Sequence, residues 1–256
     1  MSRPEITLEN APAVYDYYCK REPNPATAGF LHALFSLVYR PSVEYAQGAA
    51  DKTANHLGEG KNLILAPNHV SVHDQFILAA IAGREWPLME LMGNSVILAK
   101  KPLFNRLLRP ILDSFGAIPT IRSKDVAKAG GRDMPQEERS KLRHRAGNLL
   151  VETCVDKLDS GYNVAIFPEN TRNTEQPEKV QKIYEGIGRI ACGAERPEDL
   201  LILPIGMHFA EGENSFKPNV FIGQPFEVAD SKTEVVSMTA LSLQECVTSA
   251  VQMSQS

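Results

Sequence analysis

Short apolar runs alternate with amphipathic stretches along this chain, and the alternation predicts strands and helices in turn. Leu63-Ile64-Leu65-Ala66 has the length of a buried strand, and Pro67 ends it. Phe76, Ile77, Ala80 and Ile81 then recur at helical spacing, which predicts a helix from Val72 to about Gly83. By the same criteria, further strands are expected over 43–46, 95–99, 116–121, 162–167, 200–207 and 219–223. Helices are expected over 27–39, 102–112, 140–158, 178–192 and 238–252, the one over 140–158 closed by Gly161. Pro4, Pro12, Pro23 and Pro25 make the first 25 residues an irregular arm with one short helical turn near Tyr15 to Lys20. Residues 124–138 are polar, contain Gly130-Gly131, and read as a loop.

Strands alternating with helices predict an α/β fold, a single domain with a mainly parallel central sheet flanked by helices and preceded by an N-terminal helical segment. The expected boundaries are 1–45 for the N-terminal arm and apolar helix and 46–256 for the main α/β domain. A chain of 256 residues is long enough for such a core.

Net charge changes the picture through its distribution. The total of −4 argues against general nucleic-acid binding. Between Val96 and Arg145, however, twelve Lys/Arg face five Asp/Glu, a local +7 that leaves −11 elsewhere. A basic middle in an acidic protein fits contact with an anionic substrate, carrier or membrane; the bland alternative for each charge is a solvated helix face. Cys19, Cys154, Cys192 and Cys246 have no metal-binding spacing, and residues 1–9 lack an apolar signal core. The expectation is an intracellular protein with reduced thiols. The apolar stretch from Gly29 to Tyr39 is about half a bilayer span, and fits a core helix or an interfacial one equally.

The densest candidate chemistry is Asn68-His69-Val70-Ser71-Val72-His73-Asp74, at the predicted strand-to-helix junction. Ser71 and Asp74 also read as a capping box, which would account for Asp74 without catalysis. Histidine is the side chain that titrates nearest neutral pH, and a positioned base contributes about 10²- to 10⁴-fold. Asp74 in the first helical turn is placed to fix the tautomer of a His69 in the preceding loop. His69 and His73, one helical turn apart with Asp74 beside them, also admit a metal site and hence a metal-dependent hydrolase. The Pro67 break and the Ser71 cap argue against that spacing.

The pattern His69-x4-Asp74 resembles the first sequence block of the glycerolipid acyltransferases, the lysophosphatidate acyltransferase family. Gly116-Ala117-Ile118-Pro119-Thr120-Ile121-Arg122 resembles its second block. Phe167-Pro168-Glu169-Asn170-Thr171-Arg172-Asn173 resembles the third, and Leu203-Pro204-Ile205-Gly206-Met207 the apolar fourth. The likeness covers residues 60 to 225 or so. It implies His69 as base, Asp74 as its orienting partner, and Arg122, Glu169, Asn170, Thr171 and Arg172 as substrate-binding residues. It implies no metal and no cofactor, with acyl-CoA or an acyl-carrier protein as co-substrate.

The implied reaction is acyl transfer to the hydroxyl of lysophosphatidate, with glycerol 3-phosphate or another lysophospholipid as alternative acceptors. A non-catalytic lipid-binding relative is a further alternative. Asn170 and Asn173 stand where the family usually has glycine and serine, which bears on the acceptor more than on the reaction. The expected partners are the acyl donor, the phosphorylated acceptor and a membrane surface bound peripherally, at its inner face in the cytoplasm.

Overall fold

The structure, a computed structural model, describes residues 3–121, 135–210 and 216–255. Arg122 and most of the expected loop 124–138 lie outside the described residues. The helices are α1 (Ala11–Lys20), α2 (Pro25–Val38), α3 (Ala49–Gly58), α4 (Asp74–Ala82), α5 (Arg109–Phe115), α6 (Gln136–Asp159), α7 (Gly186–Ala191) and α8 (Lys232–Met253). The strands are β1 (Ser42–Tyr45), β2 (Asn62–Pro67), β3 (Ser95–Lys100), β4 (Ala117–Thr120), β5 (Asn163–Ala165), β6 (Leu200–His208), β7 (Asn219–Ile222) and β8 (Phe226–Glu227).

The strands form one sheet in the order β1-β7-β6-β2-β5-β3-β4, with β8 also on β6. Every pairing is parallel except β6 with β7 and β6 with β8. This is the expected α/β, mainly parallel architecture of a single domain.

Both faces of the central strands are covered, which explains their unbroken apolar runs. Ile64, Ala66, Leu200 and Ile202 face one core with α1, α6, α7 and α8. Leu63, Leu65, Leu201 and Leu203 face the other with α4. Pro204 is tolerated in central β6 because it falls between the stretches paired to β8 and β7.

Several expectations are corrected. The N-terminus is no loose arm: α1 is ten residues long, with Val14, Tyr15, Tyr17 and Tyr18 buried. Its tyrosines bury their rings and satisfy their hydroxyls, Tyr15 on Pro119 O (3.1 Å) and Tyr18 on Asp113 Oδ1 (2.7 Å). The helix expected over 102–112 is displaced to Arg109–Phe115. Pro110, without an N–H, favours a helix start, and Asn105 Oδ1 accepts from the N–H groups of Leu107 and Leu108.

The helix expected over 178–192 shrinks to α7, because side chains capture the preceding backbone: Gln181 N–H donates to Glu169 and Val180 N–H to Gln244. Helix α3 was not expected at all. In α2 only Ala28 and His32 are buried, while Phe30, Leu34, Leu37 and Val38 are exposed.

The topology creates a crevice. The chain leaving β2 crosses to β3 on one side, whereas the chain leaving β5 crosses to β6 on the other. Their loops part at the carboxyl edge of the sheet, where open α/β sheets bind ligands.

Candidate active site

Strands β2 and β5 pair Ile64 with Val164 and Leu65 with Ala165. Extended upward, this register sets His69 level with Glu169. The two sequence blocks thus meet by strand pairing, and the His69 N–H donates to Glu169 Oε1 at 2.8 Å. Glu169 Oε2 accepts from Gln181 N–H at 2.8 Å, so both carboxyl oxygens hold backbone. Burial pushes the Glu169 carboxyl above the usual carboxylate range, and the two N–H groups partly oppose that rise.

His69 lies in the loop between β2 and α4, and Asp74 opens α4. His69 Nδ1–H donates to Asp74 Oδ2 at 2.7 Å, leaving Nε2 for the cleft that His69 lines. The same Oδ2 accepts from the N–H groups of Val70 (2.7 Å) and Ser71 (2.9 Å). Asp74 is fully buried, and its Oδ1 has no hydrogen-bond partner.

The expected capping box is half formed. The acid reaches back to Ser71 N–H, but Ser71 Oγ accepts from His73 N–H (3.1 Å), because the helix begins at Asp74 and not at Val72. Asp74 is therefore at once a cap and the partner of His69.

Neighbours fix the imidazole and its loop. The Phe167 ring lies 4.4 Å from that of His69, centroid to centroid. Asn173 N–H donates to the His69 carbonyl at 2.7 Å. Asn68 exchanges two hydrogen bonds with the Met207 backbone, tying the loop to β6. His73 lines the same cleft, but its Nδ1 is engaged by the Tyr39 hydroxyl at 2.8 Å. Among the described residues no group of three His, Cys, Asp or Glu is placed to hold a metal.

The third-block turn is tight. Asn170 has φ 58°, a left-handed conformation that glycine enters freely and asparagine more readily than most other residues. The second-block Gly116 is also left-handed, and a Cβ there would come within 2.6 Å of Ser95 O.

A cleft of about 720 Å³ opens beside His69. Of the third-block residues, Phe167, Asn170 and Arg172 line it. Glu169 lies behind it, and the Thr171 hydroxyl bonds Gln181 instead (3.1 Å). Three further cations that the sequence did not single out as site residues, Lys100, Arg143 and Arg189, also line the cleft, and no carboxylate does among the described residues. The available signal was the spacing of Arg143, Ala146, Gly147, Leu150 and Val151, one face of a helix.

Among the described residues no helix is long and apolar enough to cross a membrane. No individual curated protein matches the chain. The family model described as Acyltransferase matches residues 50–208, more than half of the chain and the whole span from α3 to the end of β6. With the His69–Asp74 pair and the third-block turn inside that span, the chain belongs to the Acyltransferase family, that of the 1-acyl-sn-glycerol-3-phosphate acyltransferases.

Proposed function

We propose that this acyltransferase moves a fatty acyl group from acyl-CoA or an acyl-carrier protein to the free hydroxyl of lysophosphatidate, giving phosphatidate. The observation that carries this reading is a cleft that joins an Asp-held histidine to four cations, with no carboxylate among its described lining residues. A long apolar molecule with an anionic head suits such walls.

His69 Nε2 takes the proton of the acceptor hydroxyl as its oxygen attacks the thioester carbonyl carbon. The C–O bond forms, the C–S bond breaks, and the proton passes to the departing thiolate. Asp74 holds the ring in the Nδ1–H tautomer and stabilises the imidazolium between the two steps. Arg172 holds the acceptor phosphate with Asn170 beside it, because a guanidinium fork matches phosphate oxygens. Arg122 belongs with them by its second-block position. Glu169 acts through backbone, as a positioning residue.

Glycerol 3-phosphate and other lysophospholipids are alternative acceptors on the same chemistry. A metal-dependent hydrolase is a weaker reading, because His73 is engaged by Tyr39 and Asp74 Oδ2 already accepts three hydrogen bonds. The protein works attached peripherally at the inner, cytoplasmic membrane face.

The test is acyl transfer from labelled oleoyl-CoA and oleoyl-carrier protein to lysophosphatidate, glycerol 3-phosphate and lysophosphatidylcholine. Turnover with lysophosphatidate that disappears in His69→Ala is expected. Preference for another acceptor would reassign the substrate, and turnover that survives in His69→Ala would overturn the mechanism.

A further inference from the structure

We infer that helix α6 forms the wall along which a fatty acyl chain lies, and that Gly147 sets the length of chain accepted. The inference rests on the acyl-transfer reading above and adds a chain-length determinant to it.

Gly147 sits inside the 24-residue helix α6, where glycine costs about 1 kcal/mol relative to alanine. Among the described residues nothing internal to the fold calls for it. Its φ is not positive, and a Cβ built there meets no atom of the described residues within 4 Å. What the missing side chain leaves open is the cleft, which Gly147 lines together with Arg143, Ala146, Leu150 and Val151.

The orientation follows from one hydrogen bond. Leu158 O, near the end of α6, accepts from Asn62 Nδ2 at the start of β2, at 2.7 Å. Counting back fifteen residues at helical rise brings Arg143 about 22 Å up the helix. Five steps along β2 raise Pro67 about 17 Å above Asn62, and His69 follows two residues later in the loop at that edge. Arg143 is therefore at the same edge of the sheet as the catalytic histidine, with Gly147 about 6 Å and Val151 about 12 Å further down the helix from Arg143. The wall starts with a cation at the reacting edge, continues with two small residues, and ends with Leu150 and Val151. Leu98 and Ala99 of β3 line the same cleft. Charge at the top and apolar surface descending beside the sheet is the polarity of an acyl chain with its reactive carbonyl uppermost.

The experiment measures kcat/KM in two arms. One varies the donor from octanoyl- to stearoyl-CoA against one acceptor, and the other varies the acyl chain of the lysophospholipid against one donor. Each methylene kept out of the wall costs about fourfold. Gly147→Leu is expected to lower the ratio of longest to shortest chain at least about tenfold in one arm, and that arm identifies whose chain lies there. Leu150→Ala is expected to move the optimum of the same arm to longer chains, a gain that misfolding does not imitate.

Unchanged chain-length profiles in both arms, with melting temperatures showing both variants folded, would overturn the inference. If the wild-type protein turned over no donor at all, the acyl-transfer reading would fail by itself. Binding of an environment-sensitive fluorescent fatty acid would then decide on α6: weakening in Gly147→Leu is expected, and equal binding would overturn it.

Discussion

Asp74 Oδ2 accepts from His69 Nδ1 at 2.7 Å while also accepting the N–H groups of Val70 and Ser71, so one buried oxygen both shapes the loop and orients the His69 imidazole. An asparagine oxygen at that position can still accept these N–H groups, but it cannot stabilise an imidazolium by charge. Asp74→Asn should lower kcat by about 10²- to 10⁴-fold. The KM for the acceptor should move little, and circular dichroism should show the fold kept. A kcat within about tenfold of wild type would mean that Asp74 serves only as a cap.

Glu169 makes a different prediction because it touches backbone. Glutamine keeps one acceptor oxygen and turns an NH2 group toward the second N–H. Glu169→Gln should therefore lose about 1–3 kcal/mol of stability in urea unfolding. The pH dependence has a defined sign. With its pKa raised by burial, native Glu169 holds a proton that the unfolded chain has already released just above the ordinary carboxylate range. Stability from this group therefore falls as pH rises from about 4 toward its native pKa. The glutamine variant should lack that downward component in a series of unfolding midpoints.

Much of this fold was legible because both-face burial writes continuous apolar runs, and β2, β6 and the sheet class were readable from them. Long-range register was not. Nothing local to Ile64 or Val164 announces that they pair, yet this pairing brings His69 to Glu169. Helix α3 escaped notice because its buried stripe, Ala49, Thr53, His56 and Leu57, is half polar. The segment before α7 carried a helical pattern but lost its N–H groups to Glu169 and Gln244. Arg143 and Arg189 were missed for a related reason: a cation on a helix face has the same sequence signature whether it meets water or a substrate.

Asn170 separates backbone from substrate effects at the third-block turn. Its φ of 58° suits Gly and Asn, and a left-handed conformation costs other residues about 1–2 kcal/mol. Asn170→Ala should lose about 1 kcal/mol of stability. Asn170→Gly should stay within about 0.5 kcal/mol of wild type while removing a side chain from the cleft wall beside Arg172. Its acceptor preference should shift, read as the kcat/KM ratio between lysophosphatidate and glycerol 3-phosphate. An unchanged ratio would remove Asn170 from substrate selection.

Membrane attachment is expected where apolar exposure and positive charge coincide. Helices α2 and α5 pack together, and Phe30, Leu37 and Leu107 near them are 66%, 70% and 83% exposed. Arg106 is exposed beside Leu107. Inserting such side chains into the interface gains about 1.5–3 kcal/mol each when burial is complete, and nearby Lys or Arg adds about 1 kcal/mol on anionic lipid. The protein should co-sediment with anionic liposomes at low salt, and less as salt screens the charges. Leu37→Glu with Leu107→Glu should abolish co-sedimentation while turnover of a detergent-solubilised acceptor persists. Binding that survives the double variant would move the attachment surface elsewhere, and no binding at low salt by the wild-type protein would end the peripheral assignment.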